Sequence, residues 1–407
     1  MNLDRRTMLA ALAAGFTLPS ASLRAEPVGG ARLVGHLRTN WSRAPFALGS
    51  YSYVARGERP DDRRTLAEPV AGRLFFAGEA CHPDYGGTVH AAYESGIAAA
   101  SRMLAQRHGR IAVIGAGIAG LAAAQALAQG AHEVVVFEAS ERIGGRIRTS
   151  RELGLPLDLG ASWIHGATGN PLTALADGLG LSRVETGESY AVRDGAGRRV
   201  RAANQPDWLF REAEAQIAFG ADIDLLAPEA LDKGDGYEGA DMILPEGYDR
   251  LLGGLKRGHG YHLSHPVRAV RLDAAGVTLE VEGIGRRPFD AALVTVPLGV
   301  LKAGSIAFDP PLPEEKRAAI GRIGMGVLDK LYLKFDRVFW DDATWLYTPD
   351  TGLQRGQFNQ WLNLHGIVGE PVLLALNGGS SALALAGLGD EKLVGEALGV
   401  LRRAYRL

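Results

Sequence analysis

Apolar residues along this chain fall in short runs, and changes in their spacing mark the elements. Residues 73–77 read as a short buried strand, followed by a glycine-rich turn and a helical period from about Thr88 to Ala105. Arg110 to Ile114 forms a second buried run, Gly117 to Gln129 an alanine-rich helix, and Glu133 to Phe137 a β-branched strand, which together make one βαβ unit. Residues 170–232 read as mainly helical, with Asp207 to Phe219 the clearest amphipathic piece. From Pro266 the period shortens to that of strands: 267–272, 277–281, 292–296, 328–335 and 372–376. Asp390 to Arg406 closes the chain as a helix. The pattern predicts an α/β protein in which a Rossmann-like sheet adjoins a mixed-sheet and helical domain.

Composition adds boundaries. The 407 residues, 46% hydrophobic and 22% charged, suffice for two or three packed domains. The formal charge of -2 and the dispersed Lys and Arg residues give no footprint for nucleic acid. A single cysteine, Cys81, excludes an internal disulfide and a cysteine-based zinc site. Residues 1–25 combine the pair Arg5-Arg6, an apolar run from Met8 to Ala21 and small residues up to Ala25. That is the twin-arginine export pattern, which implies recognition by machinery that carries folded proteins and a periplasmic or exported location. No later run reaches the roughly 18 apolar residues of a membrane-spanning helix, so stable membrane insertion is not expected.

Gly115, Gly117 and Gly120 stand between the first strand and helix of the βαβ unit, with Ile118 and Ala119 opening the helix, and Glu138 ends the second strand. Such glycines permit a tight turn, close approach of backbone N–H groups to a pyrophosphate, and close packing of helix on strand. Glu138, 23 residues beyond Gly115, is placed to accept hydrogen bonds from ribose hydroxyls. The unit continues through Ala139 to Gly144, Gly145 and Arg146, a turn that offers close backbone approach and a positive charge for a phosphate.

This extension resembles the FAD-specific signature of the flavin amine oxidases. Gly160, Ala161, Ser162, Trp163 and His165 resemble the flavin-contacting segment of polyamine and spermine oxidases. Gly78-Glu79-Ala80, the stretch Tyr85 to Ala92 with Thr88 and Val89, the stretch Gly49 to Tyr53, and Thr295 to Lys302 resemble further blocks of that family and of the lysine-specific histone demethylases. The resemblance implies non-covalent FAD, since Ser50 occupies the place where monoamine oxidases attach flavin through cysteine. It also places Gly78, Glu79 and Thr88 at the pyrophosphate and ribityl chain, and Val267 at the adenine.

In the family the dinucleotide strand comes first and the Gly-Glu and Thr-Val blocks last; here the last blocks come first. The order implies a circular permutation, with 26–109 the C-terminal part of the FAD-binding domain, 110–169 the βαβ unit and flavin-contact segment, and 170–244 a shortened helical insert. Residues 245–302 then continue the FAD-binding domain, and 303–407 form the substrate sheet and closing helix.

The segment Leu328 to Trp340 resembles the one bearing the family's active-site lysine. Alternation puts Lys330 and Lys334 on one face; the resemblance selects Lys330, with the role of holding a water beside the flavin. Aromatic side chains suit a site that desolvates an amine, and Trp41, Tyr51 and Tyr85 are the candidates. His165 matches the substrate-contacting histidine of spermine and acetylpolyamine oxidases. The implied activity is oxidation of a primary or secondary amine through an imine to an aldehyde, with O2 reduced to H2O2. The alternatives are an L-amino acid oxidase, disfavoured because no arginine stands at Trp163 to His165, and a non-catalytic flavin-binding protein with a reduced substrate roof.

Overall fold

The computed structural model describes residue 28 and residues 30–106, 109–130, 132–201, 207–232, 236–256 and 259–406; the predicted export signal at 1–25 lies outside these. Five parallel strands form the first sheet, in the order Gly260–His262, Glu133–Phe137, Arg110–Ile114, Ala291–Val294, Leu74–Phe76. The central strands Arg110–Ile114 and Ala291–Val294 are almost wholly apolar because both of their faces are covered. Along the second buried run, Ile111 and Val113 enter the core beneath two helices, while Ala112 and Ile114 enter the core beneath a four-stranded sheet.

The two helices are Val89–Leu104 and Ile118–Gln129. They meet so closely that a Cβ on Gly96 would lie 2.2 Å from the Ala119 carbonyl oxygen. Small residues at this crossing bring both helix N-termini to the same side of the sheet. The four-stranded cover runs Gly285–Phe289, Val277–Val281, Val267–Leu272, Ala307–Asp309.

The second sheet has seven strands: Leu33–Arg38, Leu328–Phe335, Val372–Gly378, Gln360–Asn363, Trp345–Tyr347, Tyr190–Arg193 and Arg199–Val200. Leu331, Leu333 and Phe335 pack against the closing helix Asp390–Tyr405, whose Val394, Leu398 and Leu401 share their core. Tyr332, on the opposite face, packs with Leu155, Leu157 and Leu159. The same face carries Lys330.

Two expectations are corrected. Residues 170–232 are not mainly helical: Val184–Glu185, Tyr190–Arg193 and Arg199–Val200 are strands, although Pro171–Gly178 and Asp207–Phe219 are helices. The strand Tyr190–Arg193 owes its form to a partner more than 150 residues away, the parallel Trp345–Tyr347, which no local period reveals. Leu33–Arg38, read as part of the cofactor domain, pairs antiparallel with Leu328–Phe335 and belongs to the substrate sheet. Among the described residues no helix is long and apolar enough to cross a membrane.

Candidate active site

A cavity of about 1250 Å3 lies between the two sheets. That exceeds the usual span of small-ligand pockets, roughly 300–1,000 Å3. At one end its wall includes Gly115, Gly117, Ile118, Ala119, Glu138, Ala139 and Val267. A Cβ on Gly117 would meet nothing within 4 Å, so the space above this helix terminus is open. Gly120 is absent from the wall; its missing Cβ would lie 2.1 Å from the Gly115 carbonyl oxygen, so it serves helix–strand packing. The Glu138 carboxylate accepts from the Ala116 N–H at 2.8 Å, the Ser140 N–H at 2.8 Å and the Ser140 hydroxyl at 2.7 Å. These bonds fix it at the turn with acceptor capacity remaining.

Gly144 and Gly145 adopt φ of 104° and 57°, which only glycine reaches freely. The turn is held from within by Arg142, whose guanidinium donates to the carbonyls of Ile143, Gly145 and Ile147. Burial pushes its pKa down to about 10. Sequence reasoning passed over Arg142, since nothing in the Gly-Gly-Arg pattern signals a side chain folded back on its own turn.

Arg146 is the residue read as a positive charge for a phosphate. It donates to the Glu79 carboxylate at 2.8 Å and to the Ser50 carbonyl at 2.9 Å. Glu79, equally, is committed to protein donors, accepting also from the Ser52 hydroxyl at 2.5 Å and the Gly87 N–H at 2.8 Å. Both side chains still line the cavity, as do Gly78, Thr88, Val89, Gly144 and Gly145. Burial raises the Glu79 carboxyl pKa, but the Arg146 charge and the Ser52 hydrogen bond outweigh it, and the net shift is downward. Behind Ser52 stands buried Arg63, which donates to the Ser52 hydroxyl at 2.8 Å and pairs with Glu58 at 2.9 Å. A run of Asp and Arg at 61–64 gives no hint that one arginine is internal.

The opposite end of the cavity holds the predicted chemical residues. Lys330, 4% exposed, donates from Nζ to the carbonyls of Asp158 and Gly160 at 2.9 and 2.7 Å and to the Ser162 hydroxyl at 2.5 Å. Nζ thus has three protein acceptors within hydrogen-bond distance. Burial lowers its pKa to about 8 against the opposing pull of Asp158. Lys334, on the same strand face, donates to the Leu153 carbonyl and pairs with Glu370 at 3.3 Å, outside the cavity wall. Trp41 is buried with its indole N–H on the Leu159 carbonyl at 3.1 Å, and the Tyr51 hydroxyl donates to the Ile217 carbonyl. Both aromatics line the cavity with Gly160, Ala161 and Ser162.

A three-stranded antiparallel sheet, Trp163–Ile164, Met242–Ile243 and Val184–Glu185, contributes Trp163 and Glu185 to the wall at this end. Trp163 stacks on Trp345 with ring centroids 6.5 Å apart and on His165 at 6.3 Å. His165 Nδ1 lies 2.8 Å from an Asp241 carboxylate oxygen. Tyr85 stacks on His82 at 5.3 Å and packs beside Tyr237 at 5.5 Å. Glu185, Glu188 and Asp241 bring carboxylates to the same stretch of wall. Asp241 was invisible to the motifs, because only strand pairing carries it to His165.

The open space above Gly117, the acidic acceptor at Glu138 and the cavity volume fit a dinucleotide lying along the first sheet. Cys81 lies off this path, buried, its thiol pushed up to about 12 by burial, so no thiolate is offered to a flavin.

Comparison with known proteins agrees with this geometry. The family model described as flavin containing amine oxidoreductase matches residues 18–104, 118–212 and 215–406. A probable polyamine oxidase of Arabidopsis thaliana is 32% identical over 345 residues, covering 69% of this chain and 68% of that protein. A lysine-specific histone demethylase 1 homologue of Oryza sativa subsp. japonica is 31% identical over 72% of this chain and 46% of its own. A structure of putrescine oxidase bound to putrescine has the same fold, with a TM-score of 0.54, 20% identity, and coverage of 73% of this chain and 81% of the other. This chain belongs to the flavin-containing amine oxidoreductases and is an FAD-dependent enzyme of amine oxidation.

Proposed function

We propose that this enzyme oxidises di- or polyamines and passes the electrons to O2, releasing H2O2. The observation that carries the reading is the wall in front of Lys330: stacked Trp163 and Trp345 beside the carboxylates of Glu185, Glu188 and Asp241. Aromatic faces and carboxylates both favour a substrate with more than one ammonium group. No arginine stands among these residues to anchor an amino acid's carboxylate, which disfavours the L-amino acid reading. The polyamine and putrescine oxidases similar to this chain support the same substrate class.

When bound, FAD supplies the two-electron acceptor. The protein's part is to bury the amine among Trp163, Trp345 and Tyr85, excluding water, and to accept its N–H hydrogen bonds on the carboxylate side of the wall. Lys330 places one positive charge beneath that space, locked by Asp158, Gly160 and Ser162. The test is purified FAD-loaded protein with mono-, di- and polyamines: bleaching of the flavin without oxygen and peroxide with it are expected from the di- and polyamines. Neither signal from any amine would overturn the proposal.

We also infer that the chain is exported by the twin-arginine route and that its order is a circular permutation of the family's. Fractionation of cells expressing R5K/R6K checks the first, the expected result being loss of export. The second is supported by motif order and by Val28 and Tyr405 packing into one core.

A further inference from the structure

The donors that hold Glu79 in the cavity wall lead back to Arg63. Arg63 lies in the first turn of the helix Asp62–Ala67 and is 3% exposed. Its Nε pairs with Glu58 at 2.9 Å, and its Nη1 donates to the Ser52 hydroxyl at 2.8 Å. A guanidinium has donors only, so the Ser52 oxygen accepts from it and the single Ser52 hydrogen goes to Glu79 Oε2 at 2.5 Å. The same Oε2 accepts the Gly87 N–H at 2.8 Å, immediately before Thr88, whose side chain caps the helix Val89–Leu104. Charges thus alternate from Glu58 through Arg63 and Glu79 to Arg146, and the hydroxyl between the middle pair has one direction.

Arg63 differs from an ordinary buried ion pair in two respects. Its Nη2 is buried without a hydrogen-bond partner, so Glu58 and Ser52 leave part of the cation unanswered. Gly86 also makes room for it: a Cβ there would lie 2.6 Å from Cζ and would overlap Nη1. The guanidinium therefore lies against the Gly86 backbone, and Arg63, Ser52, Glu79, Gly86 and Gly87 share the cavity wall.

We propose that Arg63 is a positioning residue for the flavin cofactor: through Ser52 it fixes Glu79 and the Gly87 end of the capped helix, and its charge makes bound FAD easier to reduce. This concerns the cofactor and does not depend on which amine is oxidised. Burial pushes the Glu79 carboxyl up; the Arg146 charge, the Ser52 hydrogen bond and the Arg63 charge together hold it down. Two-electron reduction adds negative charge to the cofactor, and a cation in a wall shielded from water favours the reduced form. Glu58 stands outside the cavity wall and opposes that effect.

Reductive titration of FAD-loaded protein against a reference dye reads this charge without any amine. R63Q is expected to shift the balance between reduced and oxidised FAD about tenfold toward the oxidised form, a fall of about 30 mV for a two-electron couple, and to weaken FAD binding. R63K keeps the charge and is expected to keep the potential. E58Q, which removes the opposing carboxylate, is expected to raise it. A residue that only holds the fold would change the melting temperature and leave the potential of bound FAD where it was. An unchanged potential in R63Q, or an equal fall in R63K, would overturn the proposal. If R63Q retained no FAD, E58Q would decide: a raised potential would sustain the proposal, and one that did not rise would overturn it.

Discussion

Lys330 Nζ donates to the Ser162 hydroxyl at 2.5 Å, and this contact ties the substrate sheet to the segment that turns beneath the cofactor path. With the Asp158 and Gly160 carbonyls it gives the buried ammonium three protein acceptors. K330M removes the buried ammonium from this seat. The reduced enzyme is expected to react with O2 more slowly by about a hundredfold while retaining FAD, as for loss of a well-placed charge or proton donor. Stopped-flow mixing of reduced protein with O2 checks it; an unchanged rate would remove Lys330 from the chemistry.

The same residue predicts a pH dependence of stability. Its folded pKa is lowered to about 8, below the ~10.4 of an unfolded lysine. Between these values the unfolded chain binds more protons, so the stability of the wild type rises with pH across that window. Thermal melts of wild type and K330M from pH 8 to 10 are expected to show the wild type gaining relative to the variant.

Glu79 and Arg146 form a second buried tie, and its removal from one side leaves a charge unpaired. E79Q is expected to lose somewhat less than the ~3–5 kcal/mol of a fully buried pair, because Arg146 keeps 22% exposure, and to release FAD more readily. The double variant E79Q/R146M is expected to lose less than the sum of the single losses. The sign with pH follows from the lowered carboxyl: its stabilisation is complete above the ordinary glutamate range and disappears as pH falls through the folded value. Urea melts of the three variants and wild type, at neutral and acid pH, check both statements.

What sequence showed and hid follows from range. The βαβ unit was legible because Ile111, Val113 and the glycine turn obey local rules of period and backbone approach. Lys330 was legible only through resemblance, since Lys334 shares its strand face and differs in what lies opposite. Asp241, Arg142 and Arg63 were not legible, because each acts through a partner set by register or by a folded-back side chain. The strand Tyr190–Arg193 was misread for the same reason: its sheet neighbour lies in another part of the chain.

Gly117 and Gly120 separate binding from stability. A Cβ on Gly120 collides with the Gly115 carbonyl at 2.1 Å, so G120A is expected to cost about 1–3 kcal/mol even without cofactor. Gly117 has φ of -71° and open space above it, so G117A is expected to melt like wild type in the cofactor-free protein yet bind FAD far more weakly. Melting curves with FAD stripped, followed by titration with FAD, distinguish the two. Equal melting of both variants would contradict the packing role of Gly120.

The order of the chain yields the last prediction. Val28, 1% exposed, shares a core with Leu401 and Tyr405 of the closing helix, so the beginning of the described chain lies where its end packs. The helix Val89–Leu104 and the strand Arg110–Ile114 are adjacent in sequence; under the proposed circular permutation they belong at opposite ends of the family's order. A gene that starts at Gly109, runs to Leu407 and continues directly into residues 26–106 would restore that proposed order while keeping every element of both sheets. Loop closure changes by little, since each doubling of loop length costs only about 0.6 kcal/mol. The reordered protein is therefore expected to bind FAD with the same absorbance spectrum and to melt within a few degrees of the natural one, roughly the shift that ~1 kcal/mol produces. A reordered chain that failed to fold or to hold FAD would show that the present order is required by the fold rather than accommodated by it.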